Sequence, residues 1–396
     1  MTERNLILNP YLTLRFLKND NQKDFLRFSS PTKNVGVQIL ELESDQNSAL
    51  YDLFDELSQT SLNFLDIDED LSDEERNLLA KNGVLIEPDT VSQQPLFACF
   101  LDEIRDDNHA PAANDLIVNK SLHYDEAHDY ETIIGRRKYG FEPNLPIVWV
   151  TDPKTEITFG YWLRGEFLEI ARSLHSGEKP SISLTTEQTA ILKQAAILVS
   201  PHSLNQLKWA EYLKDAAKQF QKEKYTNLRG ILPRAQLAAI CRYLEKLRAE
   251  GFMLFNDKQV ALRHAIHNDA LSIYFHEQLV PLISLTVGER VKPSYVYSAT
   301  YVEDAVLNPH KDRPQCEFTM SMQIGYNPAQ PADVSPWALC LNDLHENRIE
   351  TFLTNGDAMI YKGCELVHYR EALFKNHEST SIFFHFVPEN FDGPLE

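Results

Sequence analysis

The spacing of hydrophobic and polar positions changes period several times along this chain. Leu12 to Leu17 alternates as a half-buried strand does, and Val35 to Leu42 (Val-Gly-Val-Gln-Ile-Leu-Glu-Leu) predicts a second strand. From Ser48 to Leu57 the period lengthens, and Leu50, Leu53, Phe54 and Leu57 fall on one helical stripe. Asp73 to Ala80 predicts another helix, opened by Ser72 as N-cap with acids in the first turn and stopped by Asn82-Gly83. Val84-Leu85-Ile86 reads as a short strand.

Glu103 to Glu126 is polar and irregular, with Asp106 to Pro111 at its centre, and predicts a loop. Pro146 to Val150 and Ile157 to Trp162 predict a hairpin around Asp152-Pro153. Thr186 to Tyr225 is helical in pattern, with a break or restart at Pro201-His202-Ser203. Leu237, Ile240, Leu244 and Leu247 place a helix over Pro233 to Leu247. Asp257 to Leu285 reads as a long helix carrying His264, His267 and His276; their spacing admits a second metal site, but helical histidines are usually exposed or hydrogen-bonded. Beyond it the period falls to two. Pro293 to Val302, Glu317 to Tyr326, Ala358 to Tyr361 and Ser379 to Val387 predict strands, with Asn355-Gly356-Asp357 and Lys362-Gly363 as turns. Short strands so punctuated suggest a barrel or jelly roll. The expected fold class is α+β, divided as 1–95, a mixed and largely helical 96–228, and 229–396.

Composition narrows this picture. The chain has 396 residues, 43% hydrophobic and 24% charged, enough for two or three domains with sizeable cores. A net charge of −20 argues against nucleic-acid binding, which needs a cationic surface. The acid is concentrated in Asp66 to Glu75, as in a solvated face or helix start. Five cysteines make no Cys-x-x-Cys pair, which fits reduced thiols and a cytoplasmic location. The N-terminus lacks a secretory pattern and no apolar run suggests a membrane span, so no membrane partner is expected. A homodimer is a further expectation. There is no Gly-x-Ser-x-Gly elbow and no phosphate-binding loop.

The chemistry concentrates in Asn308-Pro309-His310-Lys311-Asp312 and Glu365-Leu366-Val367-His368. Residues two apart on extended chain share a face, so His310 and Asp312 look into one space. Two histidines and one carboxylate occupy one face of a metal octahedron and leave three positions open, the ligand type of non-haem Fe(II) oxygenases. His310, Asp312 and His368 are therefore the candidate metal ligands and catalytic set. His385, between phenylalanines, reads as a packed core histidine, and Cys316 as a buried small hydrophobe.

The order strand, His-x-Asp, sheet, Gly-Asp turn, strand, distal histidine and closing strand resembles the Fe(II)/2-oxoglutarate dioxygenase family, particularly its prolyl-hydroxylase-like branch, over Arg234 to Val387. The resemblance implies a double-stranded β-helix with flanking helices and iron at one mouth. It also implies 2-oxoglutarate chelating the iron, dioxygen as co-substrate, succinate as product, and an iron(IV)-oxo species that hydroxylates an unactivated carbon. One departure stands out. The family carries Arg or Lys at the start of the closing strand, against the far carboxylate of 2-oxoglutarate, where this chain has Glu378 followed by Ser379, Thr380 and Ser381. Arg370 is the first choice for that role, with Lys375 and Arg313 as alternatives and Tyr295, Tyr297, Tyr301 and Ser381 as hydroxyl donors. The N-terminal pattern is similar to the winged-helix-like leader-peptide-recognition domains of enzymes that modify ribosomally made peptides, which add an extended peptide to a sheet edge. A peptide or amino-acid side chain is the implied substrate, and a free amino acid or small natural product the rival. Two other classes fit the sequence: a cupin-like metal-binding or sensing protein, and a peptide-binding adaptor that has lost its co-substrate.

Overall fold

The computed structural model describes residues 6–9, 12–18, 23–32, 36–59, 71–87, 95–105, 115–126, 130–201 and 204–395. Asp66 to Asp70 of the acidic run, Asp106 to Pro111 of the expected loop, His202-Ser203 and Val35 lie outside these residues.

The N-terminal part contains β1 (Ile7–Leu8), β2 (Thr13–Lys18), β3 (Asp24–Thr32), β4 (Gly36–Glu43), α1 (Ser48–Gln59), α2 (Asp73–Lys81) and β5 (Leu85–Ile86). β2, β3 and β4 form an antiparallel meander, and β1 pairs with β5. Sequence reading missed β3, the central strand. Phe25, Leu26 and Phe28 are all buried, so apolar residues face both sides and the alternation is blurred. Phe28 meets Phe54 of α1 edge-on, with ring centroids 4.7 Å apart. α2 starts where its cap predicts: Ser72 and Glu75 form a reciprocal capping box.

The middle part contains β6 (Ile117–Val118), β7 (His123–Asp125), α3 (Tyr130–Lys138), β8 (Ile147–Thr151), β9 (Thr158–Trp162), α4 (Glu166–Arg172), α5 (Thr186–Gln194), β10 (Leu198–Val199) and α6 (Leu204–Glu223). The β8–β9 hairpin is as expected. The expected loop over Glu103 to Glu126 instead supplies β6, paired with β10, and β7, paired with β8. Those strands are too short for a periodic signal.

The C-terminal part contains β11 (Tyr225–Leu228), α7 (Arg234–Ala249), β12 (Leu254–Phe255), β13 (Arg263–His267), α8 (Ala270–Val287), β14 (Val291–Tyr301), β15 (Leu307–His310), β16 (Phe318–Asn327), β17 (Leu339–Asn342), β18 (Arg348–Thr351), β19 (Ala358–Lys362), β20 (His368–Arg370) and β21 (Glu378–Pro388). A seven-stranded sheet runs β11-β19-β16-β21-β14-β13-β12, and a four-stranded sheet runs β15-β20-β17-β18. They face each other: Leu339 and Leu341 of the small sheet pack with Met359 and Tyr361 of the large one. The predicted helix over Asp257 to Leu285 is corrected. Arg263–His267 is a strand between β12 and β14, and the helix starts only at Ala270, where Asp269 accepts from the Ser272 N–H. His264 and His267 are thus on a strand and His276 on a helix, and they make no shared metal cluster among the described residues. α8 is long and apolar enough to cross a membrane, contrary to the sequence expectation. In this fold it packs against α6 and β14, with Phe275, Leu279, Leu282 and Ile283 buried.

The alternation of the long strands decides what each face does. Phe318, Met320, Met322 and Ile324 of β16 and Ile382, Phe384 and Phe386 of β21 join α7 and α8 in one core. Each such fully buried side chain contributes about 1.5–3 kcal/mol. The intervening residues, Thr319, Ser321 and Gln323 on β16 and Ser381, Phe383 and His385 on β21, point the other way, toward the small sheet. The interior between the sheets therefore carries polar groups among its apolar ones.

Candidate metal centre

Pairing of β15 with β20 sets His310 opposite His368 in the small sheet. Their rings lie 4.3 Å apart. Asn308-Pro309 is part of β15, whose register shifts between Leu307 and His310. Asp312 follows in the loop, and its Oδ1 lies 3.5 Å from His368 Nε2 and 3.7 Å from His310 Nε2. Lys362-Gly363 lets this happen. Asp312 N–H donates to the Gly363 carbonyl, and a Cβ on Gly363 would collide with Asp312 Oδ2.

Both histidines are oriented from behind. His310 Nδ1 lies 2.8 Å from the Asn308 carbonyl and His368 Nδ1 3.1 Å from the Leu366 carbonyl. A carbonyl only accepts, so each Nδ1 carries the proton and each Nε2 turns a lone pair to the cluster. Asp312 Oδ2 accepts from Thr319 Oγ1 at 2.8 Å, and Thr319 Oγ1 lies 3.0 Å from His385 Nδ1. His385, expected as a core residue, is buried, but it also supports the hydroxyl that supports Asp312. Burial pushes the His310 imidazole below its usual range, and does the same to His385, down to about 4. Burial acts to raise Asp312, but the bond and charge that a protonated His368 would offer, with His385 and Thr319, outweigh it and hold the carboxyl at about 2. Neutral imidazoles and an ionised carboxylate are the states in which these groups bind metal.

This donor set fits a metal ion. Two donors at right angles about 2.1 Å from an ion stand roughly 3 Å apart, slightly closer than the separations found. Only one face of the ion would be filled by protein.

Arg370 shares the face of β20 with His368, two residues along. It is 1% exposed. Its Nη1 donates to the Trp337 carbonyl at 3.0 Å, and the guanidinium lies over the Trp337 ring, 4.5 Å from the centroid. Its Nε and Nη2 have no partner among the described residues. Burial pulls the guanidinium below its usual range, with no carboxylate to counter it. Nε and Nη2 form the edge that grips a carboxylate with two parallel bonds. Ser321 Oγ and Ser381 Oγ, on the facing sheet, are buried and have no partner among the described residues. The Tyr361 ring, also of that sheet, lies 4.6 Å from that of His368.

The other candidates are placed differently. Lys375 is exposed, and Arg313 lies over the Tyr295 ring at 4.9 Å. Glu378 pairs with Arg248 of α7, which explains the acid at the start of the closing strand. The Tyr295 hydroxyl is bonded to Cys316 Sγ, Tyr297 donates to Asp257, and Tyr301 accepts from Arg263. Cys316 is buried as expected. Sequence reading missed Thr319 and Ser321, although alternation within Glu317 to Tyr326 placed both in phase. It missed Asp257, Gln259 and Arg263 because the stretch was read as helix.

No protein-family model matches this sequence, and no curated protein matches it. Several solved structures resemble part of this chain. The alpha ketoglutarate dependent epimerase SnoN of nogalamycin biosynthesis aligns at TM-score 0.39 and 12% identity, over 45% of this chain and 82% of its own. A Pseudomonas putida prolyl-4-hydroxylase aligns at TM-score 0.37 and 15% identity, over 45% of this chain and 100% of its own. A 2OG-Fe(II) oxygenase family oxidoreductase from Burkholderia pseudomallei aligns at TM-score 0.37 and 13% identity, over 46% of this chain and 92% of its own. These scores are too low for the likeness to carry the function of those proteins to this chain.

Proposed function

We propose that this chain is an Fe(II)- and 2-oxoglutarate-dependent oxygenase that hydroxylates an unactivated carbon of a peptide or amino-acid side chain. The observation that carries the reading is the free Nε–Nη2 edge of buried Arg370, in the same interior as the triad. A buried cation with no counter-charge is costly, and an anionic ligand removes that cost. The adaptor reading rested on a missing cation, and Arg370 provides one.

His310, Asp312 and His368 would hold the iron, and Arg370, with Ser321 and Ser381 of the facing sheet, the far carboxylate of 2-oxoglutarate. Iron with 2-oxoglutarate and dioxygen supplies the oxidising power to replace C–H by C–OH, with succinate and carbon dioxide released. The chain's own residues orient and exclude water. The Asn308 and Leu366 carbonyls fix the imidazole tautomers, Thr319 holds the carboxylate, and Trp337 and Tyr361 wall the interior. A peptide is the favoured substrate because β4 is an edge strand of its sheet and lies beside β13, the strand that carries Arg263. Main-chain pairing along that edge would seat an extended segment near the metal.

The test is uncoupled succinate release from the Fe(II)-loaded protein as 2-oxoglutarate is varied. Arg370→Ala raises the apparent requirement at least about tenfold, since a charge-assisted pair contributes ~1.5–3 kcal/mol. An unchanged requirement would remove Arg370 from the role.

A further inference from the structure

A second buried arginine, Arg263, holds a side chain that faces His310 Nε2. The segment between β12 and β13 turns through Asn256 and Leu262, both at positive φ (64° and 62°). Asp257 Oδ1 accepts from the N–H groups of Gln259 (2.9 Å) and Val260 (2.8 Å). The Val260 side chain is buried with Tyr301, Trp337 and Leu373. Arg263 donates through Nε to Asp257 Oδ2 (2.6 Å), through Nη1 to the Tyr301 hydroxyl (2.9 Å), and through Nη2 to Gln259 Oε1 (3.4 Å). Gln259 is exposed, yet its amide is fixed from one side by this clamp.

On the other side, Gln259 Nε2 lies 3.0 Å from His310 Nε2. His310 carries its proton on Nδ1, so Nε2 accepts and the amide donates to the lone pair a metal would take. A metal at that lone pair leaves the amide N–H without its acceptor. Oε1 remains tied to Arg263, so the amide still faces the cluster. The acceptors then available are oxygen atoms that fill the open positions of the metal.

We propose that Gln259 is a positioning residue of this centre, whose amide N–H donates to a carboxylate oxygen of the 2-oxo acid bound at the metal. The inference rests on the oxygenase reading. It makes two predictions of opposite sense, because the amide competes with the metal for His310 but assists the acid once metal is bound. Redox-inert Ni(II) and 2-oxoglutarate are the probes, titrated calorimetrically into the full chain. Gln259→Leu keeps or raises the affinity for Ni(II) and lowers that of the Ni(II)-loaded protein for 2-oxoglutarate by about tenfold, the size of a lost hydrogen bond to a charged group. Gln259→Glu, which puts a negative charge in place of the donor, lowers the latter at least as much. Unchanged 2-oxoglutarate affinity in Gln259→Leu overturns the proposal. So does a fall in Ni(II) affinity matching that of Asp312→Ala, which would make Gln259 a metal ligand instead. If the unsubstituted protein binds no Ni(II), the oxygenase reading falls and this inference with it. If it binds both probes and only the Gln259 variants fail to differ, the inference alone falls.

Discussion

The interior buries two arginines, and the two are treated in opposite ways. Arg263, 3% exposed, is met by the Asp257 carboxylate, two tyrosine hydroxyls and an amide oxygen. Burial acts to lower its pKa, but Tyr301, Tyr297 and Asp257 outweigh it and raise it. Arg370 has one backbone carbonyl and an aromatic face. Satisfied from within, a buried guanidinium is a structural clamp. Left open on its carboxylate-gripping edge, it stores an unfavourable energy that a ligand can relieve. The Asp257–Arg263 pair belongs to the folded chain, whereas Arg370 would be completed by something bound.

The largest expected effect tests whether His310, Asp312 and His368 form a metal centre at all. Asp312→Ala or His368→Ala abolishes turnover and sharply weakens Fe(II) binding, because one of three protein ligands is lost. Metal titration giving wild-type affinity in both variants would show that the triad is not a ligand set.

Next in size is the contrast itself. Arg263→Met leaves the Asp257 carboxylate without its cation, and lowers the stability of the metal-free protein by about 3–5 kcal/mol in urea denaturation. Arg370→Met removes a buried charge that has no counter-ion, so the ligand-free stability is unchanged or higher. Equal destabilisation by both substitutions would mean that Arg370 is as structural as Arg263, and that its open edge has no ligand to wait for.

The smallest effect concerns the N-terminal sheet. Ile39 of β4 is exposed. If an extended peptide lies along this edge, Ile39→Asp weakens hydroxylation of that peptide through KM by a few-fold, as loss of one side-chain contact does, roughly 0.5–1 kcal/mol. Uncoupled succinate release stays at its wild-type rate. Equal KM values would leave the N-terminal part as structural support.

What the sequence determined by itself was local. Period-two alternation over β14, β16 and β21, the Gly356-Asp357 and Lys362-Gly363 turns, the Ser72 cap and the His-x-Asp pair are all written in neighbouring residues. Each was legible because the force behind it acts over a few positions. Tertiary structure decided the rest. Arg263–His267 carries a pattern compatible with helix or strand, and becomes a strand because β12 and β14 offer it hydrogen bonds. β3 is apolar on both faces because it is central, which no local period reveals. Arg370 was named from the sequence by proximity to His368, but its meaning rests on burial and two unpartnered nitrogens, which only the packing of the sheets creates. The link from Gln259 to His310 joins residues 51 positions apart, and its direction depends on the Asn308 carbonyl, which accepts from Nδ1–H and so leaves Nε2 as the acceptor. Sequence fixes propensity at short range; only the closed fold decides which polar groups are satisfied and which are left open for a ligand.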